Sequence, residues 1–390
     1  MPRTRNLLRH RSEHEHGKVT FIELFFDLVF VFAVTQLSHS LIEHFTAAGA
    51  AQTLLLTLAV WWVWIFTSWV TNWLDPERLP VRLLLLAIML GGLVMSATIP
   101  QAFEARGIAF AASYALIQVG RTLFVLWALG DEHRGLTRNF QRILVWLLAS
   151  AAFWLAGGFT EGTTRLVFWI AALAIEYVAP SVGFRVPGIG RSTTGDWKVE
   201  GGHLSERCAL FIIIALGESI LVTGATFSAM AWSPTTLAAL AATFVSSLAM
   251  WWLYFAYSAE AGSRTISGAA DPGRLARLAY TYIHLLMVAG IIVSAAGDEF
   301  VLAHPAGHSE PKTIVAVTSG LALYLAGSML FRWAIAGRLP LSPLFGMLAL
   351  ALLAATAHWL TPLVLSVFAS LVIVAIAAWE ARARASNRCP

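Results

Sequence analysis

The feature that most limits what this chain can become is a recurring apolar segment about 20 residues long, the length at which an α-helix crosses the hydrocarbon core of a bilayer. Twelve such segments are present, at about 22–44, 51–72, 82–103, 108–129, 142–158, 165–182, 205–228, 235–257, 275–297, 313–335, 342–358 and 361–380. Composition agrees: 58% of the 390 residues are hydrophobic, 12% are charged and the mean hydropathy is +0.71, whereas a soluble domain carries about 25% charged residues. A soluble enzyme, a disordered chain and a nucleic-acid binder are excluded on these grounds. The expected fold class is all-α, a polytopic transmembrane helical bundle of about twelve spans. Its two cysteines, Cys208 and Cys389, supply neither a disulfide framework nor a cysteine metal site. The first segment follows a basic leader, as a signal peptide does. It is too long for one and lacks a small-residue cleavage site, so it reads as a retained helix.

Lys and Arg are retained in cytoplasmic loops, which gives the orientation. Alternate inter-segment regions, including both termini, hold 21 of the 26 Lys and Arg residues. The opposite set holds three, Arg106, Arg165 and Lys312, while Arg121 and Arg207 lie in or at the edge of segments. Both termini are therefore expected in the cytoplasm of an inner, or plasma, membrane. The net charge of +4 then describes a surface facing anionic lipid.

The chain divides into a basic leader (1–18), a first six-helix repeat (19–182), a cytoplasmic connector (183–204), a second six-helix repeat (205–381) and a cytoplasmic tail (382–390). The repeat rests on matched positions: Glu23 with Glu206, Trp61-Trp62 with Trp251-Trp252, Gly91 and Ser96 with Gly290 and Ser294, and Gly120 with Gly327. Even-numbered halves would be parallel, with any pathway between them. The leader, with His10, His14 and His16, reads as a solvated tail. The glycine-rich connector lacks the Gly-Lys-Ser/Thr end of a phosphate loop and reads as flexible.

An ionisable side chain within the bilayer costs about 2.5–3.5 kcal/mol on insertion scales, which makes each one a candidate. Glu23 and Asp27 lie four apart on one face of span one. Arg121 of span four lies about 12 Å from the cytoplasmic boundary and needs an acidic partner, for which Asp27, Glu23 and Glu176 of span six compete. Span seven opens with His203, Glu206 and Arg207, placed where side chains can snorkel to the interface, and carries Glu218 and Ser219 about 18 Å further along. Glu218 is either a proton or cation site or a neutral acid bonded to a neighbouring helix. Asp27 with Arg121 is either part of a pathway or a structural lock. In span two the tryptophans near the ends read as an interfacial belt, whereas Trp61, Trp62 and Trp64 nearer the middle read first as packing and second as an aromatic groove. His39, His284 and His358 show no metal-ligand spacing.

Several motifs resemble the bacterial low temperature requirement A proteins: Phe-Ile-Glu-Leu-Phe-Phe-Asp-Leu-Val-Phe-Val-Phe-Ala at 21–33, Thr-Asn-Trp-Leu-Asp at 71–75, Ile-Pro-Gln-Ala-Phe at 99–103, Tyr114 with Arg121, and Gly-His-Leu-Ser-Glu-Arg with Leu-Gly-Glu-Ser within 202–219. The resemblance implies a many-helix membrane protein linked to growth in the cold, without a biochemical activity. Phe26-Asp27-Leu28-Val29-Phe30 is also similar to the Phe-Ser-Asp-x-Val-Phe signature of lysosomal and bacterial potassium channels built from six-helix repeats. Here Phe26 stands for Ser, no Arg precedes the motif, and Leu210 stands where Asp27 would recur.

The expected function is a channel or transporter for protons or small cations, with Glu218, Asp27, Glu23, Arg121, Glu176, Glu206, Arg207, His203 and Ser219 as pathway candidates. No cofactor, metal or catalytic residue is expected. The partners are the lipid bilayer, a small cation or proton and, at most, further copies of the chain, with no nucleic acid. The alternatives are a non-transporting sensor or scaffold and a membrane-embedded enzyme, the latter disfavoured because Gly-x-Ser-x-Gly and His-Glu-x-x-His are both missing. Single cysteines placed near Arg138, Arg191 and Arg264 are expected to resist an impermeant thiol reagent outside intact cells. Labelling of the Arg191 loop from outside would overturn the twelve-span order.

Overall fold

A computed structural model of the protein describes residues 7–9, 19–130, 133–193, 197 and 199–388. Twelve long helices follow one another: α1 (Phe21–Glu43), α2 (Ala47–Trp73), α3 (Leu79–Gln101), α4 (Gly107–Leu129), α5 (Arg134–Gly158), α6 (Gly162–Val178), α7 (Gly201–Ser228), α8 (Pro234–Ser267), α9 (Pro272–Ala303), α10 (Pro311–Ala336), α11 (Leu341–Trp359) and α12 (Pro362–Arg388). Among the described residues, eleven are long and apolar enough to cross a membrane, and α6, with 17 residues, is at the short end of spanning lengths. The chain is a multi-pass, all-α membrane protein.

Local chemistry sets the helix ends. Thr46 caps α2 by accepting from Gly49 N, Ser233 and Thr236 form a capping box ahead of α8 with Pro234 at its first position, and Asp271 caps α9 just before Pro272. Gly337 ends α10 in the left-handed conformation at φ 68°. The segment 258–274, between the eighth and ninth apolar segments, is mostly helix. Helix α8 continues through a π-helical turn at Tyr254–Ser258 to Ser267, and α9 starts at Pro272 with a second π-helical stretch at Ala276–Ile283.

The chain forms two compact units. The first comprises 1–40, 46–207 and 267–277; the second comprises 41–45, 208–266 and 278–390. In the first, α3, α4, α5 and α6 pack in sequence, and α2 packs on α4 and α6. In the second, α9 and α10 form the closest pair, α8 packs along α12, and α10 and α11 pack on each other and on α12. Leu83, Leu86, Leu90 and Leu93 of α3, and Leu344, Leu348 and Leu352 of α11, are exposed on single faces. Such stripes would drive aggregation in water and suit lipid.

Two expectations for the non-helical segments are corrected. The leader is not wholly a solvated tail: Leu7 is buried, Leu8 bridges Leu74, Arg9 N donates to Trp73 O at 2.9 Å and Asp75 N donates to Leu7 O at 2.8 Å. His10, His14 and His16 lie outside the described residues. Nor is the connector a loose linker. Its first part turns back so that Ser192 N donates to Gly183 O at 2.7 Å, a closure in which a Cβ on Gly183 would lie 2.4 Å from Ser192 O. Arg142 of α5 donates to Ile189 O and Ser192 Oγ, and Trp197 packs against Trp69, Trp73 and Phe184.

Positions matched between the halves differ in their surroundings. Trp61 and Trp62 are buried, whereas Trp251 and Trp252 are 40% and 49% exposed. Glu23 is buried and Glu206 is exposed. Gly91 meets Ile117 of α4, and Gly290 meets the backbone of Gly320 and Tyr324 in α10.

Close backbone approach explains the tight α9–α10 pair, since small residues let membrane helices touch. A Cβ on Gly320 would lie 2.5 Å from Ser294 N, whereas one on Gly120 of α4 would meet nothing within 4 Å. Gly320→Ala is expected to destabilise by about 1–3 kcal/mol through overpacking. Gly120→Ala is expected to stabilise by about 0.5–1 kcal/mol, because Ala is the better helix residue. Thermal unfolding in detergent would show the two melting points moving in opposite directions.

Candidate functional site

The N-terminal turns of α1 and α7 meet in the first unit around buried charges. Glu23 Oε2 accepts from Arg9 Nη2 at 2.8 Å and from Thr20 N and Oγ1, both at 2.9 Å. Glu23 Oε1 lies 2.9 Å from His203 Nε2 and 3.4 Å from Arg207 Nη1. Four residues on, Asp27 Oδ1 accepts from Arg207 Nη2 at 2.7 Å and from Trp64 Nε1 of α2 at 2.8 Å. The Arg207 guanidinium also sits 5.6 Å and 5.7 Å from the ring centres of Phe26 and Trp64, within cation–π range. Arg207, Glu23, Asp27 and His203 are all buried. Two guanidiniums face two carboxylates, so the cluster is neutral when His203 is neutral.

Hydrogen bonds on both ring nitrogens hold the His203 side chain in place. Asn72 at the end of α2 donates through Nδ2 to Glu200 O and accepts through Oδ1 from Glu200 N, each at 2.8 Å. This orients the Asn72 amide so that its Nδ2, 3.3 Å from His203 Nδ1, is a donor. Nε2 of the same ring lies 2.9 Å from Glu23 Oε1 and 3.1 Å from Arg9 Nη2. The Glu200 carboxylate accepts from Gly202 N and His203 N, capping the free N–H groups that open α7.

A second buried network lies in α2, α4, α5 and α6. Glu176 accepts from Tyr114 OH at 2.6 Å, Gln118 Nε2 at 3.0 Å, Trp154 Nε1 at 3.1 Å and the Ser150 hydroxyl. Arg121 donates to Val63 O at 3.1 Å, Thr67 Oγ1 at 2.9 Å and Gln118 Oε1, and lies over Phe66. Gln118 thus bridges the cation and the acid. The expectation that Asp27 or Glu23 neutralises Arg121 is corrected: their guanidinium partners are Arg207 and Arg9, and Arg121 is linked to Glu176 through Gln118. The expected snorkelling of His203 and Arg207 is corrected as well, because the docked leader segment and α2 cover this end of α7. Of that trio only Glu206 is exposed, accepting from Val19 N at 3.3 Å.

In the second unit Glu218 is fully buried in the later half of α7. Ser219 donates to Asp298 Oδ2 of α9 at 3.1 Å and contacts Ser247 Oγ of α8 at 3.0 Å. Sequence reasoning missed Asp298, Arg9 and Gln118 as site residues. For Asp298 the available signal was its spacing, since Gly290, Ser294 and Asp298 recur every four residues and share one face. Of the central tryptophans of α2, Trp62 packs as expected first, stacking on Tyr177 at 4.0 Å, whereas Trp64 also donates to Asp27.

Comparison with known proteins now places the chain. The profile of the bacterial low temperature requirement A protein family matches residues 18–378. The chain belongs to that family. An uncharacterized protein of Rhizobium meliloti (strain 1021) is 40% identical over 371 residues, covering 95% of this chain and 90% of the relative. No solved structure matches the chain. Three of the separate motifs that resemble the low temperature requirement A family converge on one site: Glu23 and Asp27 come from the first, Asn72 from the second, and His203 and Arg207 from the fifth, at the start of α7.

Arg207 spans two carboxylates with one planar fork, which a lysine ammonium cannot do. Arg207→Lys is therefore expected to keep the charge yet lower the melting temperature in detergent, and Asp27→Asn with Arg121→Gln to give additive losses within about 0.5 kcal/mol. An unchanged melting point for Arg207→Lys, or strong coupling between Asp27 and Arg121, would contradict the assigned pairing.

Proposed function

We propose that this low temperature requirement A family member is a non-enzymatic channel or transporter for protons or small cations in the bacterial inner membrane, with both termini in the cytoplasm and its halves descended from a six-helix repeat. The observation that carries the reading is the burial of Glu218 within α7. A carboxyl group away from both ends of a spanning helix lowers stability, and such groups are kept mainly where they line an ion or proton route. Ser219, Asp298, Glu23, Asp27, Arg207, His203, Arg121 and Glu176 extend the same pattern of ionisable and hydroxyl side chains inside apolar helices.

A second reading, a sensor or scaffold for cold adaptation, is favoured by the closed charge balance around Arg207, which suits a static lock. Flux separates the two. Purified protein in liposomes is expected to pass protons or monovalent cations down an imposed gradient, and Glu218→Gln, which keeps the shape and removes titration, is expected to lose the pH dependence of that flux. Folded protein that passes no more charge than empty liposomes under proton, sodium and potassium gradients would reject transport of these ions in favour of the scaffold.

A further inference from the structure

Inside the second unit, α8, α9, α10 and α12 line a small, partly open cavity of about 10 Å³, room for a single water-sized body. Its polar wall consists of Asp298 and Ser294 of α9, Ser246 of α8, and Ser366 and Ser370 of α12. All five are buried. We propose that this cavity is a binding site for one dehydrated monovalent cation. The assignment deepens the transport reading by naming an ion class and a place for it, and as a step in transport it rests on that reading.

Four observations support it. The side-chain donors are all oxygens, the ligand type that hard alkali and alkaline-earth cations take. Among the described residues Asp298 forms no ion pair, and it accepts from the neutral Ser219 hydroxyl. One carboxylate balances one positive charge, whereas a divalent ion would leave net charge in an apolar surround, which is costly. The volume admits an ion without its water shell, so the hydroxyls and the carboxylate would replace that shell, as protein oxygens do in selectivity filters. Finally, Ser294 Oγ lines the cavity, is buried and has no hydrogen-bond partner among the described residues. Most buried hydroxyls find a partner, and of the partnerless buried hydroxyls among the described residues Ser294 is the one that lines this cavity.

The fold holds these groups still. Ser294 and Asp298 are four residues apart on α9 and face the same way. Ser219 holds Asp298 Oδ2 and is itself in contact with Ser247. The close contact of α9 with Gly320 of α10, where a Cβ would lie 2.6 Å from Ser294 Oγ, leaves no side chain at that position to occupy the hydroxyl.

Equilibrium binding tests the site without a gradient. The full chain is purified in detergent in choline chloride, and sodium chloride replaces choline at constant ionic strength while thermal unfolding and bound radioactive sodium are measured. The expected result is a saturable rise in melting temperature of about 2–4 °C, about one sodium ion per chain, no binding by Asp298→Asn, and an affinity at least fivefold weaker for Ser294→Ala. Because Ser294→Ala removes one hydroxyl and leaves the carboxylate, it keeps the test decisive if Asp298→Asn does not fold. Absence of bound sodium, a shift equal in Asp298→Asn, or unchanged affinity in Ser294→Ala would overturn the proposal and leave the cavity to water. Sodium binding without flux would contradict transport and keep the site; flux without binding would contradict the site and keep transport.

Discussion

A charged group inside a bilayer must be neutralised by a neighbour, and in the first unit the grip of Arg207 on Glu23 and Asp27 is where that requirement is met most fully. Breaking one side of such a pair leaves an uncompensated buried charge, at a cost of about 3–5 kcal/mol. The segments around it are arranged so that neither side is open to water. The Leu7–Arg9 segment lies on the end of α2, Trp64 donates to Asp27, and Asn72 contacts the imidazole of His203 and bonds the backbone of Glu200. Each contact adds a polar partner and removes a route for solvent.

Arg121 and Glu176 solve the same problem differently. They share a neutral amide instead of touching, and they also bond to carbonyl, hydroxyl, phenol and indole groups on four helices. Hydrogen bonds to charged groups contribute about 1.5–3 kcal/mol each, so such a cage offsets burial without direct contact of opposite charges. Around Asp298 in the second unit the partners are fewer: one hydroxyl and a small oxygen-lined cavity. The difference is one of charge: the acids of the first unit have cations in or beside their networks, whereas among the described residues Asp298 has none within ion-pair distance.

The helices were legible because lipid imposes one rule, about 20 apolar residues with internally bonded backbone, and every predicted span has a helix over it. The candidate acids Glu23 and Asp27 were legible through their four-residue spacing. Partner choice was not, because depth along a helix says nothing of its rotation or of what covers its end: Arg121 looked better buried than Arg207, yet the leader and α2 close over Arg207. Asp298 was lost by one position. The apolar run suggested a span ending at 297, whereas the helix continues to Ala303, which places Asp298 more than a turn inside it.

The central claim is that Arg207, not Arg121, neutralises the acids of the first helix. A double-mutant cycle with Asp27→Asn and Arg207→Gln, read as thermal stability of the purified protein in detergent, tests it most directly. A double variant less damaged than the sum of the single variants, with a coupling of about 0.5–3 kcal/mol, is the expected result. Additive losses from the two substitutions would contradict it.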